Sequence, residues 1–173
     1  MNSSAFTDGV FQRIQSWAVR TPDAKALLAP GKRPLSFSQL MAQIESTESA
    51  LDQIGIEAGN VVALAMPDGA EMAAAQVAVG RTRAGAPLNP SLAVSELEDC
   101  LHSLRPAALM VPRGSESAAT AAARAMSIPI LDVCTESEAP AGMFTVNARS
   151  TLRPAQGRDA AGAAILLFTS ATT

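Results

Sequence analysis

The chain has 173 residues, of which 48% are hydrophobic and 17% charged, with a net charge of −3. That length can bury a substantial core as one domain, and the composition is too apolar for a disordered chain. Lys and Arg are scattered rather than grouped, which excludes the electrostatic footprint of a nucleic-acid or anionic-membrane binder.

Aromatic residues make up only 3%, so alanine does much of the core filling. Cys100 and Cys134 are the only cysteines and His102 the only histidine. Their spacing fits no CxxC pattern and argues against zinc. A Cys100–His102 nucleophilic pair is disfavoured, because residues two apart do not face each other on a helix. Both thiols read as reduced and packed. The most apolar helix candidate, Met72 to Gly80, is too short to span a membrane and is flanked by Glu71 and Arg81. Met1 to Gly9 lacks a basic stretch followed by an apolar core, so no signal peptide is read, and the expected location is the cytoplasm.

In chain order, Val10 to Arg20 reads as a helix with Val10, Phe11, Ile14, Trp17 and Ala18 on one face. Thr21-Pro22 ends it, since proline disfavours helix at the preceding residue. Ala24 to Ala29 is a strand candidate, Pro30-Gly31-Lys32 a turn, and Leu35 the start of a second short strand. Ser36 with Gln39 forms a capping box opening a helix to about Ile54. Its apolar stripe is Leu40, Met41, Ile44, Leu51 and Ile54, and Gly55 suits the left-handed position beyond its end. Gly59-Asn60 is a turn, and Val61 to Met66 is a buried strand.

Asp68 is the expected N-cap of the next helix, with Glu71 in its first turn. Met72 to Val79 is apolar nearly all round, and Gly85 is expected to end the helix. Ala86 to Pro90 is extended, because two prolines rule out helix. Ser95 with Glu98 is a second capping box, opening a helix to about Leu104. Ala107 to Val111 is a strand, Ser117 to Met126 an Ala-rich helix, and Ile128 to Val133 a strand in which Pro129 favours an edge position or the first residues. From Cys134 to Gly162 no strong periodicity appears. This stretch, 134–162, reads as a long loop or insertion, or hides a short hairpin around Met143 to Val146.

Ile165 to Phe168 then reads as a closing strand buried on both faces. Thr169-Ser170-Ala171-Thr172-Thr173 follows. These small residues offer backbone N–H groups and four hydroxyls, the donor chemistry of a phosphate cradle. Taken alone, they read first as a plain polar tail. Alternating helices and strands from residue 35 onward predict an α/β fold, a mainly parallel sheet with helices on both faces. Ligands of such sheets bind at the carboxyl ends of strands, where Thr169 to Thr173 leave the last one.

Several segments, in order, resemble the adenylate-forming (AMP-dependent synthetase and ligase) superfamily, acyl-CoA synthetase type. Thr21-Pro22-Asp23-Ala24 with Ala26-Leu27 is similar to the family's opening strand. Leu35-Ser36-Phe37-Ser38-Gln39-Leu40 is similar to its first conserved-type helix start. Gly55-Ile56 followed by Gly59-Asn60-Val61-Val62-Ala63 resembles the strand approach, with Asn60 where Asp is usual. Met66-Pro67-Asp68 with Glu71 resembles the next helix start. Arg83-Ala84-Gly85-Ala86-Pro87-Leu88-Asn89-Pro90 resembles the Ala-Gly-Ala to Pro-Leu-Asn-Pro segment, closest to acid–CoA ligases including oxalate-type members. Phe168 to Thr173 resembles the opening of the phosphate-binding signature, with Ala171 where the family has Gly.

The resemblance implies an ATP-dependent acid–CoA ligase using ATP, Mg²⁺ and CoA with a carboxylic acid. Thr169, Ser170, Ala171, Thr172 and Thr173 would be the phosphate loop. It also implies that residues 1–173 are a single partial domain, the N-terminal portion of an acyl-CoA synthetase-like large domain, and inactive alone. The family's later elements, among them its Mg²⁺ carboxylate, ribose-binding Asp and C-terminal Lys, have no counterpart here. Such a fragment is expected to bind ATP poorly and to self-associate. The alternatives are a non-catalytic truncated product or binding module, and an unrelated nucleotide-binding domain; neither GxGxxG nor GxxxxGK(S/T) supports the last. With neither metal nor triad spacing around them, Cys100→Ser, Cys134→Ser and His102→Gln should each leave ligase activity in a full-length enzyme within about threefold, under ~0.7 kcal/mol of barrier. Steady-state kinetics on the variants checks this, and a loss of roughly a thousandfold at any one contradicts it.

Overall fold

The capping box written in Ser36 and Gln39 organises the first face of the structure. In this computed structural model, which describes residues 5–149 and 157–168, the Ser36 N–H donates to Gln39 Oε1 (3.0 Å) and the Gln39 N–H to Ser36 Oγ (3.3 Å). These bonds satisfy two orphan donors at the start of a helix. That helix is α2 (Phe37–Ile54). Gly55 closes it in the left-handed conformation, φ 90°, where a side chain would strain the backbone.

Ahead of it come α1 (Ala5–Arg20) and the antiparallel pair β1 (Lys25–Leu27) and β2 (Leu35–Ser36). Helix α1 starts earlier than its apolar spacing predicts, and only part of its expected face is buried. Phe11 and Ile14 pack on the core, whereas Val10 and Trp17 are exposed. Trp17 instead stacks on Phe37 across the α1–α2 contact, ring centres 5.9 Å apart.

The remaining elements are β3 (Val61–Leu64), α3 (Ala70–Val79), β4 (Ala84–Pro87), α4 (Val94–Leu104), β5 (Ala108–Pro112), α5 (Ala118–Ala125), β6 (Ile130–Cys134) and β7 (Thr145–Ala148). They build a five-stranded sheet in the order β4-β3-β5-β6-β7, parallel except for β7. Side chains alternate along the strands, so β3, β5 and β6 each face two cores. Val62, Leu64, Met110 and Leu131 pack under α2 and α3, while Val61, Ala63, Leu109 and Ile130 pack under α4 and α5. Helices therefore cover both faces, as the alternation predicts.

Local details differ from the sequence reading. Asp68 is not the cap of α3: Gly69 stands at the N-cap with no side-chain bond. The carboxylate of the first turn, Glu71, pairs with Lys32 Nζ (2.6 Å). Gly85 does not end α3. Gly80 caps it, and Gly85 lies inside β4. Helix α4 begins at Val94 rather than after Ser95, because Ala93 is still extended and its N–H is taken by Glu96 Oε2 at 2.8 Å. Pro129 stands just ahead of β6, an interior strand, and keeps its carbonyl free to accept from the Leu109 N–H at 2.9 Å. Within the stretch 134–162, β7 returns antiparallel beside β6.

The turn into β7 is held by a buried amide. Gln43 Nε2 donates to Phe144 O (2.9 Å) and the Phe144 N–H donates back to Gln43 Oε1 (3.2 Å). Gly142, at φ 80°, lets that loop press on α3; a Cβ there would lie 2.9 Å from Ala70 O. On the far side of β3, the guanidinium of Arg83 is only 2% exposed. It donates to Ile56 O (Nε, 3.1 Å), Thr82 Oγ1 (2.8 Å) and the Asp52 carboxylate, so it fastens the end of α2 to the start of β4.

Two stability outcomes follow from these contacts. Arg83→Met leaves Ile56 O buried without its donor and should cost about 3 kcal/mol, read as a shift of the urea midpoint at unchanged slope. Burial alone would raise the Glu71 carboxyl, but the Lys32 hydrogen bond, the backbone donors and the Lys32 charge outweigh it and hold the group below its ordinary value. Its contribution is therefore present above the unfolded value of about 4.3 and fades as pH falls through the lower folded value. Urea midpoints measured against pH should show Glu71→Gln less stable than the native chain at neutral pH, with the difference closing in acid.

Candidate functional site

The two βαβ directions part between β3 and β5. From β3 the chain passes through α3 to β4 on one side; from β5 it passes through α5 to β6 on the other. In open α/β sheets ligands bind beyond the carboxyl ends of the strands. At that end lie the loop after β3 with Pro67 and Asp68, the loop after β4 with Asn89, and the loop after β5 with Arg113 and Gly114. The Asn89 side chain closes its own turn by accepting the Ser91 N–H at 3.0 Å.

The chain reaches this end a further time by an indirect route. The segment from residue 157 first crosses the amino ends of the strands. The Arg158 N–H donates to Arg105 O (2.9 Å) ahead of β5, and the Ala160 N–H to Gly59 O (2.8 Å) ahead of β3. It then turns upward beside the outer edge of β4. The Gly85 N–H donates to Ala164 O and the Leu166 N–H to Gly85 O, both at 3.0 Å, with Ile165 in parallel register opposite Gly85. Parallel pairing carries Ile165 to Phe168 toward the same carboxyl end as β3 to β6.

The predicted burial of this closing segment on both faces does not hold. Leu166 packs against the α4–α5 core, but Ile165 is 49%, Leu167 72% and Phe168 46% exposed. The segment lies outside β4, and its outer side meets no other described element. It forms a single bridge rather than a regular strand.

The predicted phosphate loop, Thr169, Ser170, Ala171, Thr172 and Thr173, lies outside the described residues. What the structure supplies is the approach to it. Gln76 of α3 lays its side chain over Gly85 and donates from Nε2 to Ala164 O at 3.3 Å. The sequence reading missed Gln76 by treating α3 as apolar all round. The available signal was one amide in the run Ala73-Ala74-Ala75-Gln76-Val77-Ala78.

Elsewhere, no group of three or more His, Cys, Asp or Glu residues comes together among the described residues. These residues therefore offer no ready Mg²⁺ cage, whereas the hydroxyl-rich stretch after Phe168 suits phosphate oxygens. Cys100 and His102 sit on α4 and Cys134 ends β6, and both thiols are free. Burial, then the charges of Asp99 and Glu96, push the Cys100 thiol up, which keeps it protonated and a poor nucleophile.

An open, mostly parallel α/β sheet meets its ligands beyond the carboxyl ends of its strands, an architecture shared by many classes of protein. The comparisons with known proteins narrow it. The AMP-binding enzyme family matches residues 14–173, and the chain belongs to that family. It is 33% identical over 117 residues to an oxalate–CoA ligase of Arabidopsis thaliana, covering 66% of this chain and 23% of that protein. It is 32% identical over 116 residues to "Probable CoA ligase CCL9" of Humulus lupulus, covering 66% and 22%. The chain thus spans less than a quarter of the length of these curated relatives. Among solved structures, apo MatB from Rhodopseudomonas palustris superposes with a TM-score of 0.69 at 17% identity, over all of this chain and 33% of that one. An o-succinylbenzoate CoA synthetase of Bacillus subtilis, bound to its acyl-adenylate, gives 0.58 at 20% identity, over 65% and 29%. These structural likenesses carry the fold. No helix among the described residues is long and apolar enough to cross a membrane.

Proposed function

We propose that this chain is the N-terminal part of an ATP-dependent acid–CoA ligase and forms a single partial domain of it. The observation that carries the reading is the parallel pairing of Ile165 with Gly85. It directs the described chain up the edge of the sheet as far as Phe168, and so supports reading the donor-rich stretch that follows in sequence, Thr169 to Thr173, as the family's phosphate loop. Family membership and the CoA-ligase relatives supply the reaction class.

In that reaction a carboxylate oxygen attacks the α-phosphorus of ATP and pyrophosphate leaves, giving an acyl-adenylate. The CoA thiol sulfur then attacks the acyl carbonyl, its proton is lost to solvent or a base, and AMP departs. The hydroxyls of Thr169, Ser170, Thr172 and Thr173, with the backbone N–H groups around Ala171, are read as donors to the β- and γ-phosphate oxygens. Donors already aimed at the departing pyrophosphate stabilise the charge that develops there. Mg²⁺, when bound, supplies further neutralisation of those phosphates. Two free thiols fit a reducing compartment, and we take it to be the cytoplasm.

Alone, these residues lack most of the length of their relatives, and the 173-residue chain is expected to turn nothing over. Ile165, Leu167 and Phe168 present an apolar edge, which invites self-association of the isolated chain.

Pyrophosphate release measured on the full-length protein across a panel of carboxylic acids tests the reading. Release should depend on one class of acid and on CoA for turnover. Ser170→Ala should lower kcat by roughly 10²-fold, the usual cost of deleting one preorganised donor. Release that depends on no carboxylate would show the assignment to be wrong.

A further inference from the structure

The Gln76 side chain lies against Gly85 and Ala164, and Gly80 closes the same corner from the end of α3. A Cβ on Gly85 would stand 2.4 Å from Gln76 Nε2 and 2.9 Å from Cδ and Oε1. A Cβ on Gly80 would stand 3.1 Å from Ala164 O and 3.5 Å from the Ala164 methyl. Neither glycine has a positive φ. The Gln76 amide fills the space above Gly85, while at Gly80 a Cβ would meet the Gln76 backbone carbonyl (2.9 Å) and then the incoming segment.

The amide has a defined orientation. Nε2 donates to Ala164 O at 3.3 Å; turned over, the amide would set one acceptor against another. Ala164 O thereby receives two donors, the Gly85 N–H and Gln76 Nε2. The other end, Oε1, is buried with no hydrogen-bond partner. A buried acceptor without a donor is unfavourable, and an apolar side chain of the same length would fill this slot without that penalty. The compensating feature is the bond to Ala164 O.

That bond sits at the residue before the only bridge of the closing segment. A one-residue slip there would turn Leu166 outward and Ile165 inward. It would also move Phe168, the last described residue, by one position relative to β4. We propose that Gln76 is a positioning residue: with Gly80 and Gly85 it fixes the register of the segment 164–166 on β4, and so fixes the point from which the chain continues beyond Phe168. The functional half of this inference rests on the ligase reading; the register half does not.

Amide hydrogen exchange on the 173-residue chain tests the register half without any activity. Gln76→Met keeps length and apolar packing but removes the donor, and Gln76→Glu keeps shape but faces a carboxylate to Ala164 O. Both should speed exchange at Leu166 and Gly85 at least about fivefold, the factor expected for one lost hydrogen bond. The Glu variant should show the larger effect. Exchange at Ala65, whose N–H donates to Met110 O, should be unchanged. Native-like protection of Leu166 in Gln76→Met would overturn the proposal. Uniform loss across Leu166, Gly85 and Ala65 would equally overturn it, since that is the signature of core packing alone. On the full-length protein, Gln76→Met should raise KM for ATP more than it lowers kcat. If exchange responds as expected and ATP use does not, the register role stands and the ligase reading of residues 169–173 falls.

Discussion

Four residues of β3, Val61 to Leu64, are held from four directions. Backbone bonds to β4 run along one edge and to β5 along the other, while alternate side chains enter the two cores. All four are buried. Each surrounding element is positioned by reference to this strand. The layer of α2 and α3 rests on Val62 and Leu64, and the layer of α4 and α5 on Val61 and Ala63. Parallel ladders need covered faces, and these residues are apolar on both sides to meet that need. Branched residues also favour the extended backbone over helix. The direction of β3 then dictates which end of the sheet gathers its loops, and hence where a ligand can be met.

What the sequence makes legible is local. Ser36 and Gln39 lie three apart and satisfy each other's backbone neighbours, so the pattern alone suffices. Gly55 is similar: its role depends on residues immediately before it. Misreadings arise where a distant partner replaces the local one. Asp68 is suited to cap α3, but Gly69 takes the N-cap, and the carboxylate of the first turn, Glu71, pairs with the distant Lys32. Gly85 has the marks of a helix end, yet its smallness answers to an amide nine residues back in sequence and stacked on it in space. Ser95 and Glu98 have the spacing of a capping box, but extended Ala93 moves the helix start so that Glu96 does the reaching.

The same distinction applies to the site. That a donor-rich stretch follows an apolar run was readable, and the family motifs gave it a meaning. The path by which the chain arrives was not. It passes beneath the amino ends of β5 and β3, with Gly157 pressed on Ala107 and Gly59 on Asp159. Nothing in residues 157–164 has a period to betray this. The exposure of Ile165, Leu167 and Phe168 was likewise hidden, because an apolar run specifies a preference for burial and says nothing of whether a cover is present.

The anchoring of the final segment to α3 and β4 also orders events in time. Gln76 and Ala164 are 88 positions apart, so their contact closes a far longer loop than any neighbouring pair in the β3-α3-β4 unit. Closing such a loop carries an entropy cost that grows with its length. On the ribosome, β3 to β6 emerge and can pair before residue 164 exists. The outer edge of β4 therefore waits open through synthesis, with the backbone N–H and C=O of Gly85 not yet paired. When residues 164–166 arrive, they close that edge and take up the backbone groups the growing chain had left open.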